Sequence, residues 1–109
     1  MKEIKVLLCC GAGFSSGFLA QKARQVAKKR NLNLSIEARS ESVVGEYISQ
    51  IDLLLIGPHF ENALENLRDM CRPYNVPAEM IPAATYSGLD GNALVDQILN
   101  ITGGNENAE

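Results

Sequence analysis

Short apolar runs alternate along the chain with segments of helical periodicity. The run Lys5–Cys9 stops at a glycine-rich loop. The segment Ile51–Ile56 ends in a continuous Leu-Leu-Leu-Ile run that stops at Gly57-Pro58, as expected of a buried strand in a parallel sheet. Partial alternation over Leu32–Ala38 predicts a second strand, and Val76–Ile81 predicts a fourth. The pattern therefore predicts four strands with a helical segment after each.

The helical segments place apolar residues three and four positions apart, so that each has one apolar face. Asn31 can end the first helix, and Asp90 has a suitable side chain to cap the last. The tail 103–109 is too polar and glycine-rich to pack, so we expect one domain over 1–102 and a flexible tail. The predicted helices cover about 15–30, 42–49, 60–71 and 90–102.

Alternating strands and helices predict an α/β fold with an open four-stranded parallel sheet in the order 2-1-3-4. Helices cover both faces, as in flavodoxin-like and Rossmann-like folds. Ligands of such sheets bind beyond the carboxyl ends of the strands, where the strand order reverses beside the first strand. We therefore expect three segments to converge there: Cys10–Gly17, Gly57–Phe60 and Pro82–Asp90.

Composition narrows the class of protein. A chain of 109 residues with 46% hydrophobic residues can form one compact core but not two. The net charge of -3 and the pI near 5.1 provide no overall basic field, so nucleic acid is not an expected partner. No apolar run approaches the roughly 20 residues of a membrane span, and three cysteines without a secretion signal favour free thiols. These features predict a cytoplasmic protein.

Cys10 follows the first strand directly and precedes a loop with three glycines that leads into the first helix. The N–H groups of such a loop, with the positive end of the helix, can form a nest for a tetrahedral phosphate group. The same field lowers the pKa of a thiol, which makes Cys10 the predicted nucleophile. The two serines of the loop could donate hydroxyl hydrogen bonds to the phosphate oxygens, and they could equally serve only as helix caps. The predicted phosphate-binding residues are Gly11, Ala12, Gly13, Phe14, Ser15, Ser16 and Gly17.

Other chemistries fit this loop less well. The Gly-x-Gly pattern, with Glu37 as a candidate ribose-binding acid, suggests a dinucleotide site, but the third glycine is displaced and a second mononucleotide half is missing. No Lys-Ser/Thr pair supports a nucleoside-triphosphate loop. Cys9 and Cys71 are expected to be buried and inert, and with His59 they lack zinc or Cys-x-x-Cys spacing. No cofactor or metal is predicted.

A cysteine-dependent phosphatase or an arsenate-reductase-like enzyme is the main alternative. The phosphatase signature places arginine six residues after the cysteine, and here that position is Ser16. The guanidinium that would clamp the transferring group is absent, and Asp90 is the only nearby acid that could protonate a leaving oxygen. These observations favour a phosphoryl carrier over a hydrolase. A regulatory domain without catalytic activity is also compatible with the residues.

The loop from Cys10 closely resembles that of the lactose/cellobiose class of IIB proteins of the sugar phosphotransferase system, and its phosphate loop resembles that of low-molecular-weight tyrosine phosphatases. The resemblance covers about residues 4 to 101. One departure is His59, where relatives commonly have glutamine. Further positions that match in the same order are Ile36-Glu37-Ala38, Glu41, Leu54-Leu55-Ile56-Gly57-Pro58, Tyr86, Gly88, Asp90 and Gly91.

The resemblance implies a phosphocysteine intermediate at Cys10, a phosphohistidine donor on a IIA protein, and a sugar acceptor presented by a IIC permease in the membrane. His59 and Tyr86 are candidate residues at the rim of the site. The protein alone is expected to be a monomer that associates with the membrane transiently through IIC. The transported sugar, which could resemble cellobiose, chitobiose or lactose, is not determined by this sequence.

Overall fold

Parallel strands and helices alternate through the part of the chain that the computed structural model describes, which comprises residues 3–9, 14–58 and 63–102. Single 3₁₀ turns, Glu41–Val43 and Ile48–Gln50, flank the second helix, and Arg72–Tyr74 follows the third. The strands and α-helices are β1 (Ile4–Cys9), α1 (Phe14–Lys29), β2 (Leu34–Arg39), α2 (Val44–Tyr47), β3 (Leu53–Ile56), α3 (Leu64–Cys71), β4 (Ala78–Met80), α4 (Ala83–Ser87) and α5 (Gly91–Thr102).

The four strands form one parallel sheet in the order β2-β1-β3-β4, which confirms the predicted order. In its register, Val6 of β1 lies between Ile36 of β2 and Leu53 of β3. All four residues of β3 are buried, because helices cover both faces of this central strand. The continuous apolar run in the sequence thus corresponds to a strand without a solvent face.

The hydrophobic core of this one domain is divided by the sheet into two clusters, the first core and the second core, which lie on its opposite faces. Val6 and Leu8 of β1 point into the first, which α1 and α5 cover, whereas Leu7 and Cys9 point into the second, which α2 and α3 cover. This separation follows from the alternation of side chains along a strand. The first core also contains Tyr86 of α4.

Helix ends in the structure follow the capping signals in the sequence. Asn31 has a φ of 59°, and the N–H of Leu32 donates to the carbonyl of Ala27 at 2.8 Å, the pattern of a Schellman cap. Asp90 Oδ1 accepts a hydrogen bond of 3.1 Å from the N–H of Ala93. Asn31 as the end of α1 and Asp90 as the N-cap of α5 are both confirmed.

The structure differs from the predicted elements chiefly between 82 and 90. There the chain forms the short helix α4, whose first turn includes a hydrogen bond of 3.0 Å from the N–H of Tyr86 to the carbonyl of Pro82. Five residues are too few to show helical periodicity, so the sequence pattern did not reveal this helix. β2 begins at Leu34 instead of Leu32 because Leu32 is used in the cap of α1.

Candidate functional site

The carboxyl ends of three strands lie side by side at one edge of the sheet. The N–H of Gly57 donates to the carbonyl of Cys9 at 2.9 Å, and the N–H of Ile81 donates to the carbonyl of Ile56 at 2.7 Å. The three segments predicted to converge therefore start from adjacent positions, because each follows directly from one of these strand ends. Cys10–Gly13 and 59–62 are outside the described residues.

Cys9 fixes where the predicted nucleophile leaves the sheet. It is the last residue of β1, it is fully buried, and it pairs with Arg39 of β2 on one side and Ile56 of β3 on the other. The end of β1 at Cys9 therefore lies between the ends of β2 and β3, where the strand order reverses, and Cys10 is the next residue in the sequence. The prediction that Cys10 follows the first strand is thus consistent with the observed end of β1.

Helix α1 begins only four residues after Cys10, at Phe14. The helix therefore starts earlier than predicted, and the backbone of Ser15 and Ser16 belongs to its first turn instead of a cap position; their side chains and that of Phe14 are not described. The first N–H groups of a helix have no partner within it, and the helix dipole makes this end positive. No acidic residue lies in the first turn to offset that charge.

Gly17 and Tyr86 are the two predicted site residues whose surroundings the structure describes. A Cβ at Gly17 would meet nothing within 4 Å, so packing does not require glycine there. Tyr86 has 7% of its surface exposed and packs in the first core with Leu19 of α1. Its ring therefore lies mostly below the surface at the carboxyl edge. His59, the other candidate rim residue, is outside the described residues.

Two serines follow the carboxyl end of β2, which pairs with the carboxyl end of β1. Cys9 pairs with Arg39, so β1 and β2 end at the same level, and Ser40 is the first residue after β2. The Oγ atoms of Ser40 and Ser42 are 2.7 Å apart, and both side chains are exposed. Sequence reasoning missed them because it assigned no role to this loop; the strand register was the signal that could have identified them.

Arg39 is the arginine nearest to Cys9 in the strand register, but its guanidinium has other partners. Nη2 lies 2.6 Å from Glu37 Oε1, Nε donates to the hydroxyl of Tyr47 at 3.3 Å, and Cζ lies 5.6 Å from the centre of the Tyr47 ring. The hydrogen bond to Tyr47 and the charge of Glu37 raise the pKa of Arg39. Glu37, the candidate ribose-binding acid, is thus bound to an arginine of its own strand.

The remaining cysteines and acids do not form a second reactive site in the part of the chain that is described. Cys9 and Cys71 are both buried in the second core, as predicted, and burial raises the pKa of the Cys71 thiol. No group of three His, Cys, Asp or Glu side chains among the described residues is arranged to hold a metal ion. None of the described helices is both long and apolar enough to span a membrane.

Comparison with known protein families gives one match that covers most of the chain. Residues 5–97 match the model of the family described as PTS system, lactose/cellobiose specific IIB subunit. The oligo-beta-mannoside-specific EIIB component of Bacillus subtilis is 28% identical over 97 residues, which are 89% of this chain and 94% of that protein. The lactose-specific EIICB component of Lacticaseibacillus casei is 29% identical over 90 residues, 83% of this chain but only 16% of that much longer protein.

Solved structures show the same fold. The lactose-specific IIB component domain from Streptococcus pneumoniae superposes with a TM-score of 0.83 over 91% of this chain and 97% of that one, at 16% identity. The cellobiose-specific IIB component from Borrelia burgdorferi gives a TM-score of 0.76 over 91% of each chain, at 29% identity. The first likeness concerns the fold alone, whereas the second extends to the sequence.

Proposed function

Because the chain belongs to the lactose/cellobiose-specific IIB subunit family of the phosphotransferase system, we propose that it carries a phosphoryl group on the Sγ atom of Cys10. Its general role is that of a phosphotransferase component in sugar transport. The observation that carries the proposal is the end of β1 at Cys9, with α1 beginning at Phe14. This spacing supports a site for Cys10 between a buried strand end and the positive end of a helix.

The proposed reaction has two transfers. In the first, the Cys10 thiolate attacks the phosphorus of a phosphohistidine on the IIA protein; the S–P bond forms, the N–P bond breaks, and the histidine nitrogen keeps the electron pair and takes up a proton. In the second, a sugar hydroxyl held by IIC attacks the same phosphorus, loses its proton and releases the thiolate. Backbone N–H groups from 11–17 would stabilise charge on the phosphoryl oxygens in both steps.

A carrier fits the described surroundings better than a phosphatase does. Ser16 occupies the position of the phosphatase arginine, and Arg39 is held by Glu37 and Tyr47. The carboxylate of Asp90, which sequence reasoning considered as an acid, accepts the capping hydrogen bond of α5. A site that lacks both a guanidinium clamp and a dedicated acid can hold a phosphoryl group, but it does not activate water efficiently.

The partners follow from the same family. The Lacticaseibacillus casei relative is named an EIICB component, so in that protein a IIB part is joined to a IIC part. We propose that this chain is cytoplasmic, exists as a monomer, and receives the phosphoryl group from IIA before associating with IIC at the membrane. The named relatives act in oligo-beta-mannoside, lactose and cellobiose systems, so the proposal extends to β-linked disaccharides as a class and to no single sugar.

The test is intact mass against time after the chain is mixed with a phosphorylated IIA protein of this class. A carrier gains the mass of one phosphoryl group and keeps it until IIC and sugar are added, while little inorganic phosphate appears. Continuous release of phosphate, with IIA consumed in excess of the chain, would instead indicate a phosphatase. No mass gain from any IIA of the class would favour a regulatory domain and contradict the proposal.

A further inference from the structure

Charge is distributed very unevenly along this acidic chain. Seven of the ten Lys and Arg residues but only one of the thirteen Asp and Glu residues lie in residues 1–30. That segment has a formal charge of +6, and the rest of the chain has a formal charge of -9. Because α1 forms more than half of the segment, one helix carries much of the positive charge of the molecule.

The outer face of α1, defined by Phe18, Lys22, Gln25 and Lys29, lies opposite the side that packs on the sheet. These residues are at positions i, i+4, i+7 and i+11 of the helix, and all are exposed. Phe18 has 59% of its surface exposed, more than any other large hydrophobic residue among those described. The outer face therefore combines an unburied aromatic ring with positive charge, and it contains no acid.

Lys22 and Lys29 of the outer face, and Lys28 next to it in the sequence, have no ion-pair partner among the described residues. No carboxylate in the described ranges lies within 4.0 Å of the ammonium group of Lys22, Lys28 or Lys29. The two arginines of this part of the chain, unlike the lysines, have partners within the protein. Arg24 Nε donates to the carbonyl of Ile36 at 3.1 Å, and Arg30 Nη1 lies 3.1 Å from Asp96 Oδ1. The arginines thus have roles within the fold, whereas the three lysines are available to an external acidic group.

The outer face is continuous with the candidate site. Phe18 lies four residues into α1, or about 6 Å along the helix axis from its first residue. Long and aromatic side chains on a helix lean toward its N-terminal end, and here that end lies four residues after Cys10 in the sequence. A protein that presents a phosphohistidine to Cys10 must approach this end of the helix, because phosphoryl transfer requires direct contact between the reacting atoms.

We infer that the outer face of α1 is the contact surface for the phosphorylated IIA protein, with Phe18 as its apolar anchor. The inference rests on the proposed function of Cys10. Exposed aromatic residues at the centre of an interface commonly carry much of the binding energy, and charges at its rim mainly raise the association rate. The IIA surface facing Lys22, Lys28 and Lys29 is therefore acidic, which matches the sign of the phosphoryl group that it delivers.

The experiment measures the initial rate of phosphoryl transfer to this chain at several concentrations of a phosphorylated IIA protein that phosphorylates the wild type. Phe18→Ala is expected to lower kcat/KM for IIA by roughly tenfold or more, the range of an interface anchor. Tyr74→Ala is the matched control, since Tyr74 is 55% exposed and follows α3 on the opposite face of the sheet. This control is expected to retain the wild-type rate within about twofold.

Charge is tested separately with the triple variant Lys22→Gln, Lys28→Gln, Lys29→Gln. At low salt, its transfer rate is expected to be lower than that of the wild type, because the lysines that steer IIA are absent. Its rate should also depend less on salt, because salt slows the wild type by screening these same charges, over a Debye length of about 10 Å at 0.1 M. Arg72→Gln removes an exposed positive charge that is paired with Asp69 on another part of the surface, and it serves as the control. It should leave the salt dependence unchanged.

The outcomes separate the two ideas. If the wild type accepts phosphoryl from IIA but Phe18→Ala and the triple variant behave like their controls, the inference about α1 is overturned and the proposed carrier function stands. If acceptance from IIA is normal in Phe18→Ala but onward transfer to sugar through IIC is lost, the face belongs to IIC and the assignment to IIA is wrong. If the wild type accepts no phosphoryl group, both the function and the inference fail.

Discussion

Three cysteines in this chain illustrate how position controls the chemistry of one residue type. Cys9 and Cys71 are buried in the second core, where a thiol behaves as a small hydrophobic group. Burial raises the pKa of Cys71, which keeps it protonated and unreactive near neutral pH. Cys10 follows the end of β1 in the sequence, and the proposed site beside the positive end of α1 would favour its thiolate form.

This contrast predicts the order of alkylation. With a neutral alkylating reagent, Cys10 is expected to react first and to remain reactive below the ordinary thiol pKa of about 8.5. Inorganic phosphate should slow the reaction weakly, since it competes for the same backbone N–H groups without an arginine to hold it. The measurement is the rate for each cysteine, by peptide mass, against pH. A Cys10 rate that rises only above pH 8 and ignores phosphate would contradict the thiolate assignment.

The raised pKa of Cys71 also determines how the stability of the protein changes with pH. The Cys71 thiol keeps its proton to a higher pH in the folded state than in the unfolded chain. Well below the unfolded pKa of about 8.5 both states are protonated, so this thiol makes no pH-dependent contribution to the free energy of unfolding. Above it, the unfolded state loses the proton first and the free energy of unfolding decreases as pH rises. The native alkylation rate of Cys71 should therefore stay low across this range until the protein unfolds.

Close contact between helices sets the geometry at the element scale. The N-terminal end of α5 crosses α1 at Gly91, where an added Cβ would lie 2.8 Å from both the carbonyl carbon and the carbonyl oxygen of Lys22. These are backbone atoms of α1, so they cannot move aside without shifting the helix. The contact therefore holds the N-terminal end of α5 close against α1.

Gly91→Ala is expected to destabilise the protein by about 1–3 kcal/mol, because the methyl group forces two helices apart. Gly17→Ala is the matched control. It lies inside α1 with nothing within 4 Å of an added Cβ, so the variant should be unchanged or more stable by up to about 1 kcal/mol. Chemical denaturation of the two variants and the wild type provides the comparison. Equal stability of Gly91→Ala and Gly17→Ala would contradict the described contact.

The elements show which parts of the fold the sequence could predict. The four strands and their order were predictable because Leu53–Ile56 and its neighbours are apolar runs that end in turns. The starts of strands were less predictable where an apolar residue before the strand caps the preceding helix. Leu32 does so before β2, and Val76 does so before β4, where its N–H donates to the carbonyl of Cys71 at 3.3 Å. The five-residue α4 left no periodic signal.

The candidate site was predictable to a similar degree. Cys10 could be selected because the glycines that follow it have no role in a buried strand, and the observed end of β1 at Cys9 agrees with that choice. The Ser40 and Ser42 pair could not be found in this way, because the pairing of Arg39 with Cys9 at the ends of β2 and β1 is visible only in the strand register. Roles for the loop residues 11–17 and for His59 remain predictions.

At the scale of the whole molecule, helix side chains cap both outer edges of the sheet. Arg24 of α1 donates to the carbonyl of Ile36 on the β2 edge at 3.1 Å, and Arg68 of α3 donates to the carbonyl of Ala78 on the β4 edge at 3.0 Å. Gln97 of α5 donates to the carbonyl of Met80 at 3.1 Å. Occupied edge carbonyls disfavour pairing with a strand from another molecule, which is consistent with the proposed monomer.

In the proposed function, partners reach the chain at the carboxyl ends of the four strands and, by the inference about α1, at the outer face of that helix. The proposed phosphoryl carrier requires this arrangement, because one cysteine must meet a donor protein and then an acceptor at the membrane. A single site that exchanges partners needs an exposed nucleophile on a fold that does not itself change.

Peptide-mapped mass after phosphorylation by IIA tests this account most directly, with the wild type, Cys9→Ser and Cys10→Ser compared at equal concentration of folded protein. The account predicts one phosphoryl group on the wild type and on Cys9→Ser, located on the peptide that contains Cys10. It predicts none on Cys10→Ser, although that variant should fold. Normal phosphoryl acceptance by Cys10→Ser would contradict the assignment of Cys10 as the phosphoryl-carrying residue.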